Sequence, residues 1–463
     1  MTEGTYDAYL RAHRGTHLEE LKTFLRFPSV STDSAHRGDV TACAEHLAEL
    51  ARKVGFEHVE LWPTKGHPVV YGDWLHADGA PTVVVYGHYD VQPADPLELW
   101  QTPPFDPQVR DGQLYARGAS DDKGPTFMHL KAFEALLSTT GGLPVNVKLF
   151  LEGEEEIGSA HLTECLEAHL DQLRGDLLVI SDTTMLGPDQ PSICYGLRGL
   201  AALQVDVHGA NRDLHSGLYG GAAPNAVHAL VELLATLHDS EGRVTVPGFY
   251  DDVDVLTTEE AEAYRELHFD EAELMAEISV TELVGEPEHP AIERLWTRPT
   301  LEINGIYGGF QGEGTKTVIP AEAHAKITCR LVPHQTGRSI QQLLARHLET
   351  NAPKGVKVSV QLADTGEPYV TPFDHPAIQL AADAYTHAYG KRAVFTRMGG
   401  SIPVVETFER MLHVPVVLMG FGLNTENFHA PNEHFALDNF DKGLRTLCYY
   451  WLHLPEALSG ERA

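Results

Sequence analysis

The residues best suited to chemistry in this chain are histidines and carboxylates far apart in sequence. Five segments place one just beyond an inferred strand or in the loop before a helix. They are His88 in YGHYDVQP, Asp121 in GASDDKGP, the glutamate run 154–156 in EGEEEIGS, Asp182 in ISDTT and His429 in NFHAPNE. His88 and Asp90 are two residues apart, so on an extended backbone their side chains point the same way. A carboxylate in that place can orient a metal-binding imidazole. Two imidazoles with several carboxylates and no cysteine suit zinc, manganese or cobalt in a site that is not purely structural. Charge counting favours two ions: three ligating carboxylates offset three of four positive charges, and a hydroxide would offset the fourth. A further glutamate of the run is then free to move protons.

Such groups need rigid elements to position them. Thr82–Tyr86 reads TVVVY, a buried central strand that Gly87 should end. Further strands are expected at 59–62, 69–74, 145–151, 177–180 and 414–419. Helices are expected at 6–27, 42–54, 125–137, 377–389 and 439–452. Strands alternating with helices, and polar residues at the strand ends, describe an open α/β sheet with its ligand at the carboxyl edge. Near Gly196 the pattern changes. A strand at 201–207, a helix at 225–238, strands at 300–306 and 323–331, a helix at 340–350 and a strand at 356–362 follow. That β-α-β-β-α-β order is ferredoxin-like. Residues 251–278 read as an acidic helical insert on its solvated surface. An open α/β catalytic domain, residues 1–198 and 371–463, is therefore expected to carry an inserted ferredoxin-like domain, residues 199–370.

Composition narrows the class. The chain has 463 residues, 43% hydrophobic and 22% charged, which fits a two-domain globular protein. A formal net charge of −32 argues against nucleic acid or an anionic membrane as a partner. Five scattered cysteines without a C-x-x-C pair suit a reducing compartment. No apolar run reaches the roughly 18 residues of a membrane span, and the N-terminal stretch is too charged for a signal peptide. The cytoplasm is the expected location.

Many motifs in order resemble one family. YGHYDVQPA, YARGASDDKGP, EGEEEIGS, SDTTM, YGLRG, DLHSGLYGG, GEGTKTVIP, CRLVP, GGSIPV and NFHAPNE are similar to the di-metal peptidases of the carnosinase and cytosolic nonspecific dipeptidase type. The wider family includes aminoacylases, succinyl-diaminopimelate desuccinylase and glutamate carboxypeptidase. The resemblance runs from about Leu18 to Leu452 and implies a dipeptidase with two divalent ions per chain. By that resemblance Asp121 bridges both ions, His88 and Asp182 complete one, and Glu156 and His429 the other. It also implies a cis Asp121–Asp122 bond, and lets Asp182 and His429 border the substrate. Glu155 matches the general base, the trailing IGS setting the register, so Glu154 is left solvated or in an outer layer. Asp90 would hold the tautomer of His88. The implied reaction takes a proton from a metal-activated water to Glu155 and passes it to the leaving amine.

The inserted domain is implied to be a lid and dimerisation domain. There His215 matches a histidine that reaches the partner subunit's site and stabilises the oxyanion, while Thr317 contacts substrate across the same homodimer. Arg330 resembles the residue that pairs with the terminal carboxylate, and Ser401 a second contact to that group. A deacylase or carboxypeptidase of the same metal chemistry is the rival enzyme reading. A non-catalytic binding protein is the rival of another class.

Overall fold

The computed structural model describes residues 4–267, 269–399 and 403–459. They form two compact units. One comprises the chain up to Tyr195, Thr371–Thr396 and the segment from Pro403; the other comprises Gly196–Val370 with residues 397–399.

The first unit is built on a mixed sheet. Its strands lie in the order Glu57–Trp62, Val69–Trp74, Asn146–Glu152, Thr82–His88, Leu177–Ile180, Val416–Leu418 and Ser192–Leu197. The middle four run parallel, and parallel strands are usually covered on both faces. Val83, Val84, Val85 and Tyr86 are accordingly buried. The expected break at Gly87 does not occur, because the strand continues to His88. Glycine is needed there for packing: a Cβ would lie 2.1 Å from Oγ1 of Thr126 on the helix Lys123–Thr140. Tyr86 faces the other way, its ring 5.6 Å from that of Phe408 on the helix Pro403–Leu412. Neighbouring strand residues point to opposite faces, so helices cover both.

Register fixes what the sheet presents. His88 pairs with Glu152, and Tyr86 with Ile180. His88, Asp182 and the loop after Glu152 therefore emerge together at one carboxyl edge. The helix Leu162–Leu173 was not expected from sequence. The second helix also begins earlier than expected, at Arg37, because a turn capped by Asp33 runs straight into it.

The second unit has an antiparallel sheet in the order Thr300–Gly308, Glu322–Leu331, Gly199–His208 and Lys357–Gly366. The helices Ala226–Leu234 and Gly337–Thr350 pack against it, burying Leu203, Val205, Leu230, Ile327 and Leu344. This is the ferredoxin-like order, with the two central strands third and first in the chain. The acidic insert is more than a solvated segment. Its helix Thr258–Glu266 starts at a capping box made by Thr257 and Glu260. Tyr264 is buried edge-on against Trp296, and Glu260 pairs with Arg397 at 2.5 Å with both side chains largely buried. Among the described residues no helix is long and apolar enough to cross a membrane. All five cysteines are buried and none is in a disulfide.

Candidate metal centre

Five separate segments of the first unit meet at the carboxyl edge of its sheet. The central strand carries His88, whose Nε2 lies 3.2 Å from Oδ1 of Asp121 and 3.7 Å from Oδ2 of Asp182. Asp121 comes from the loop that enters the helix Lys123–Thr140, and the Asp121–Asp122 bond is cis. Its other oxygen, Oδ2, lies 2.8 Å from Nε2 of His429, which is also 3.3 Å from Oε2 of Glu156. Two donor groups result, His88–Asp121–Asp182 and Asp121–Glu156–His429, each with its ligand atoms within 4.8 Å of one another. Asp121 is common to both.

The charges at this edge are unbalanced. Burial first, then the neighbouring carboxylates, push Glu155, Glu156 and Asp182 above the ordinary carboxylate range. Asp121 goes the other way: burial opposes it, but hydrogen bonds from His429 and His88 hold its charge. Burial would lower His88, yet Asp121, Asp90 and Asp182 together raise it well above its usual value. His429 is raised by its hydrogen bond to Asp121. A patch of carboxylates with imidazoles as counter-charges is the donor set a divalent cation would relieve. The residues present fit two such ions. A third group, Glu286, Glu288 and His289 in the second unit, does not. Arg298 holds Glu286 at 2.7 Å and Arg243 holds Glu288 at 2.9 Å, so those carboxylates are already neutralised.

The three glutamates have three environments. Glu154 is buried, accepts from the His67 amide at 3.2 Å and pairs with Nδ1 of His161 at 2.9 Å. It is not solvated. Glu156 accepts from Nε2 of Gln92 at 2.8 Å besides facing His429. Among the described residues none donates a hydrogen bond to the Glu155 carboxylate, which leaves it able to take a proton. Asp90 does more than orient an imidazole. Nδ1 of His88 is nearer the Asp90 carbonyl, at 3.1 Å, than its carboxylate, at 3.4 Å. The carboxylate itself accepts from the amides of Glu155 and Glu156, at 3.2 and 3.1 Å.

The substrate residues expected in the second unit are placed as follows. His215 is exposed, and its strand Leu214–His215 pairs with Val318–Ile319, putting His215 opposite Val318. The carbonyl of the exposed Thr317 accepts from Ser216 at 3.1 Å, so His215 and Thr317 share one corner. Arg330 lies on Glu322–Leu331 and lines a cavity of about 460 Å³ with Arg198 and Glu302. Ser401 lies outside the described residues.

Sequence reasoning passed over Gln92, Asp122, Glu426 and Glu433. Oδ2 of Asp122 accepts from the His88 amide at 3.2 Å and from Oγ1 of Thr126 at 2.9 Å, tying strand to helix. Glu433 stands four residues after His429 in NFHAPNE, and its nearness to a suspected ligand was the available signal.

Known proteins are similar to this chain over nearly its whole length. A protein named Cys-Gly metallodipeptidase DUG1, from Candida albicans, is 34% identical over 454 residues, 94% of this chain and 93% of that one. The human protein named Beta-Ala-His dipeptidase is 35% identical over 469 residues, 97% of this chain and 92% of that one. The crystal structure of the metallo-carboxypeptidase Sso-CP2 from Sulfolobus solfataricus is 32% identical, with a TM-score of 0.82 over 95% of this chain and 99% of that one. Residues 84–453 match peptidase family M20/M25/M40, and the chain belongs to that family.

Proposed function

We propose that this chain is a metal-dependent dipeptidase, hydrolysing short peptides that have a free C-terminal carboxylate. The observation that carries the reading is the pair of donor groups sharing Asp121, with the unpartnered carboxylate of Glu155 beside them. The relatives named as dipeptidases supply the substrate class. One divalent ion is assigned to His88, Asp121 and Asp182, the other to Asp121, Glu156 and His429, with zinc or manganese preferred and cobalt also suited. When bound, such ions acidify a water and polarise the scissile carbonyl. Glu155 takes the proton from the attacking water and delivers it to the leaving nitrogen. Asp90 holds that glutamate in place through the backbone.

Arg330 is assigned to the substrate carboxylate, with Ser401 as a second contact. His215 and Thr317 are assigned to the partner's site in a homodimer made by the inserted unit, a reading supported by their shared exposed corner. Residues 1–198 with 371–463, and 199–370, are then the catalytic and the lid or dimerisation domains. Buried thiols without disulfides favour the cytoplasm.

The likeness to Sso-CP2 favours a second reading, in which longer peptides are trimmed from the C-terminus. Metal content should be two ions per chain by mass spectrometry under native conditions. A panel of dipeptides, tripeptides, N-acetyl amino acids and C-terminally amidated dipeptides then separates the activities. Dipeptides should give the highest kcat/KM. Faster turnover of tripeptides or N-acetyl amino acids would replace the dipeptidase reading. Arg330→Ala should lower kcat/KM for free dipeptides by about 30- to 150-fold, the worth of a desolvated charged contact, and for amidated ones far less.

A further inference from the structure

The loop that carries His429 is held in an unusual shape. Asn427, His429 and Asn432 all have positive φ, at 58°, 57° and 62°, a left-handed conformation uncommon outside glycine and taken most readily by Asn, Asp and His. Two glutamates bracket this loop, and both reach back to the segment that carries Asp121. Glu433 is fully buried. Its Oε2 accepts from Nη1 of Arg117 at 2.7 Å and from the Gly118 amide at 2.9 Å. Its Oε1 accepts from the amides of Ser120 at 3.0 Å and of Asp121 itself at 3.2 Å. At the other end, Oε2 of Glu426 accepts from Oγ of Ser120 at 2.7 Å and from the Leu423 amide at 2.9 Å. Its Oε1 accepts from the Ala436 amide at 2.8 Å. Arg117 extends the frame, donating from Nη2 to the Pro93 carbonyl at 3.0 Å in the segment that follows His88 and Asp90.

A buried carboxylate is tolerated only when its acceptor sites are filled. Three of the four donors to Glu433 are backbone amides of one ligand segment, the fourth is the Arg117 side chain of the same segment, and Glu433 belongs to the other. Its position thus ties the place of the Asp121 backbone to that of the His429 loop, 308 residues away in sequence. Side chains behind the ligands that fix their orientation commonly change metal affinity when altered.

We propose that Glu433, seconded by Glu426, is a positioning residue that locks the His429 loop onto the Asp121 segment and so sets the geometry of the Asp121–Glu156–His429 group. It touches neither substrate nor ion. The inference rests on the two donor groups being ion sites, and the experiment separates failure of one from failure of the other.

The metal-stripped protein, Glu433→Gln and Glu426→Gln are titrated with Co²⁺, following calorimetry and the visible absorption of the bound ion. Wild type should take up two ions. Glu433→Gln should keep one binding event, while the other weakens by about 10- to 100-fold and its absorption changes shape, the range found for such outer residues. Glu426→Gln removes only one end of the bracket and should show a smaller shift of the same event, which keeps the test informative if Glu433→Gln folds poorly. Glu134→Gln, a change within the remote Glu20–Lys131–Glu134 cluster, serves as a control for lost stability and should bind like wild type. Two unchanged binding events in both clamp variants, or an equal shift in Glu134→Gln, would overturn the inference while leaving the metal centre intact. No Co²⁺ uptake by wild type would remove the metal centre and the inference together.

Discussion

The carboxylate of Asp90 spans the backbone amides of Glu155 and Glu156, with Oδ1 3.2 Å from the first and Oδ2 3.1 Å from the second. A fully buried side chain two residues beyond His88 thus sets where two consecutive glutamates stand. The same residue also lies near the His88 imidazole, so its two tasks need separating. Asp90→Asn puts an N–H₂ against one of those amides. A lost hydrogen bond to a charged acceptor is worth about 1.5–3 kcal/mol, so kcat should fall by about 10- to 150-fold. If the amide clamp matters most, two ions per chain remain bound. Loss of an ion alongside activity would show that Asp90 works through His88.

The glutamate run makes a sharper test. Glu155→Gln keeps shape but cannot accept a proton, so turnover should fall at least about 100-fold with both ions retained. Glu156→Gln should weaken one ion instead. Glu154→Gln alters a buried pair with His161 and should act mainly on stability, read from thermal unfolding. A severe catalytic loss in Glu154→Gln beside a mild one in Glu155→Gln would move the base by one position.

Sharing of sites between subunits is tested by mixing. In a two-fold dimer each chain would both lend and receive His215. Glu155→Gln and His215→Ala should each be nearly inactive alone. Random mixing makes about half the dimers mixed, each with one complete site of two, so activity should return to about a quarter of wild type. Absence of recovery, with mixed dimers confirmed by mass, would place His215 outside the partner's site.

His129 offers a pH dependence unrelated to catalysis. It is buried in the helix Lys123–Thr140, hydrogen-bonded to Oγ of Ser181 at 2.7 Å, and burial pushes its pKa down from 6.5 to about 3. The unfolded chain takes up this proton near pH 6.5, but the native state does not. Its contribution to stability is therefore complete above pH 6.5 and declines as pH falls, by about 1.4 kcal/mol per pH unit, until the folded pKa is reached. Urea unfolding of wild type should weaken more steeply between pH 6.5 and 5 than that of His129→Gln, which retains every other titrating group. Parallel profiles would show that His129 is not the cause.

The sequence by itself determined the kinds of donor and the strands that deliver them. TVVVY read as an interior strand, and a histidine just beyond it, with carboxylates after the neighbouring apolar runs, marked one sheet edge. The alternation of strand and helix, and its change near Gly196, were legible because burial imposes periods of 2 and 3.6 on apolar residues. Tertiary structure alone decided the rest. Gly87 read as a strand end, yet it is a packing residue, since the approach of Thr126 cannot be seen in a local pattern. The helix Leu162–Leu173 escaped because a short amphipathic stretch carries little periodic signal. The three consecutive glutamates are chemically identical as letters. The resemblance ranked them through the trailing IGS, but only the fold shows Glu154 buried against His161, Glu156 turned toward His429 and Glu155 left open, because hydrogen-bond partners come from segments distant in sequence. For the same reason the partners of Glu433 were decided only where the fold brings the Asp121 and His429 segments into contact, although its nearness to His429 is visible in the sequence.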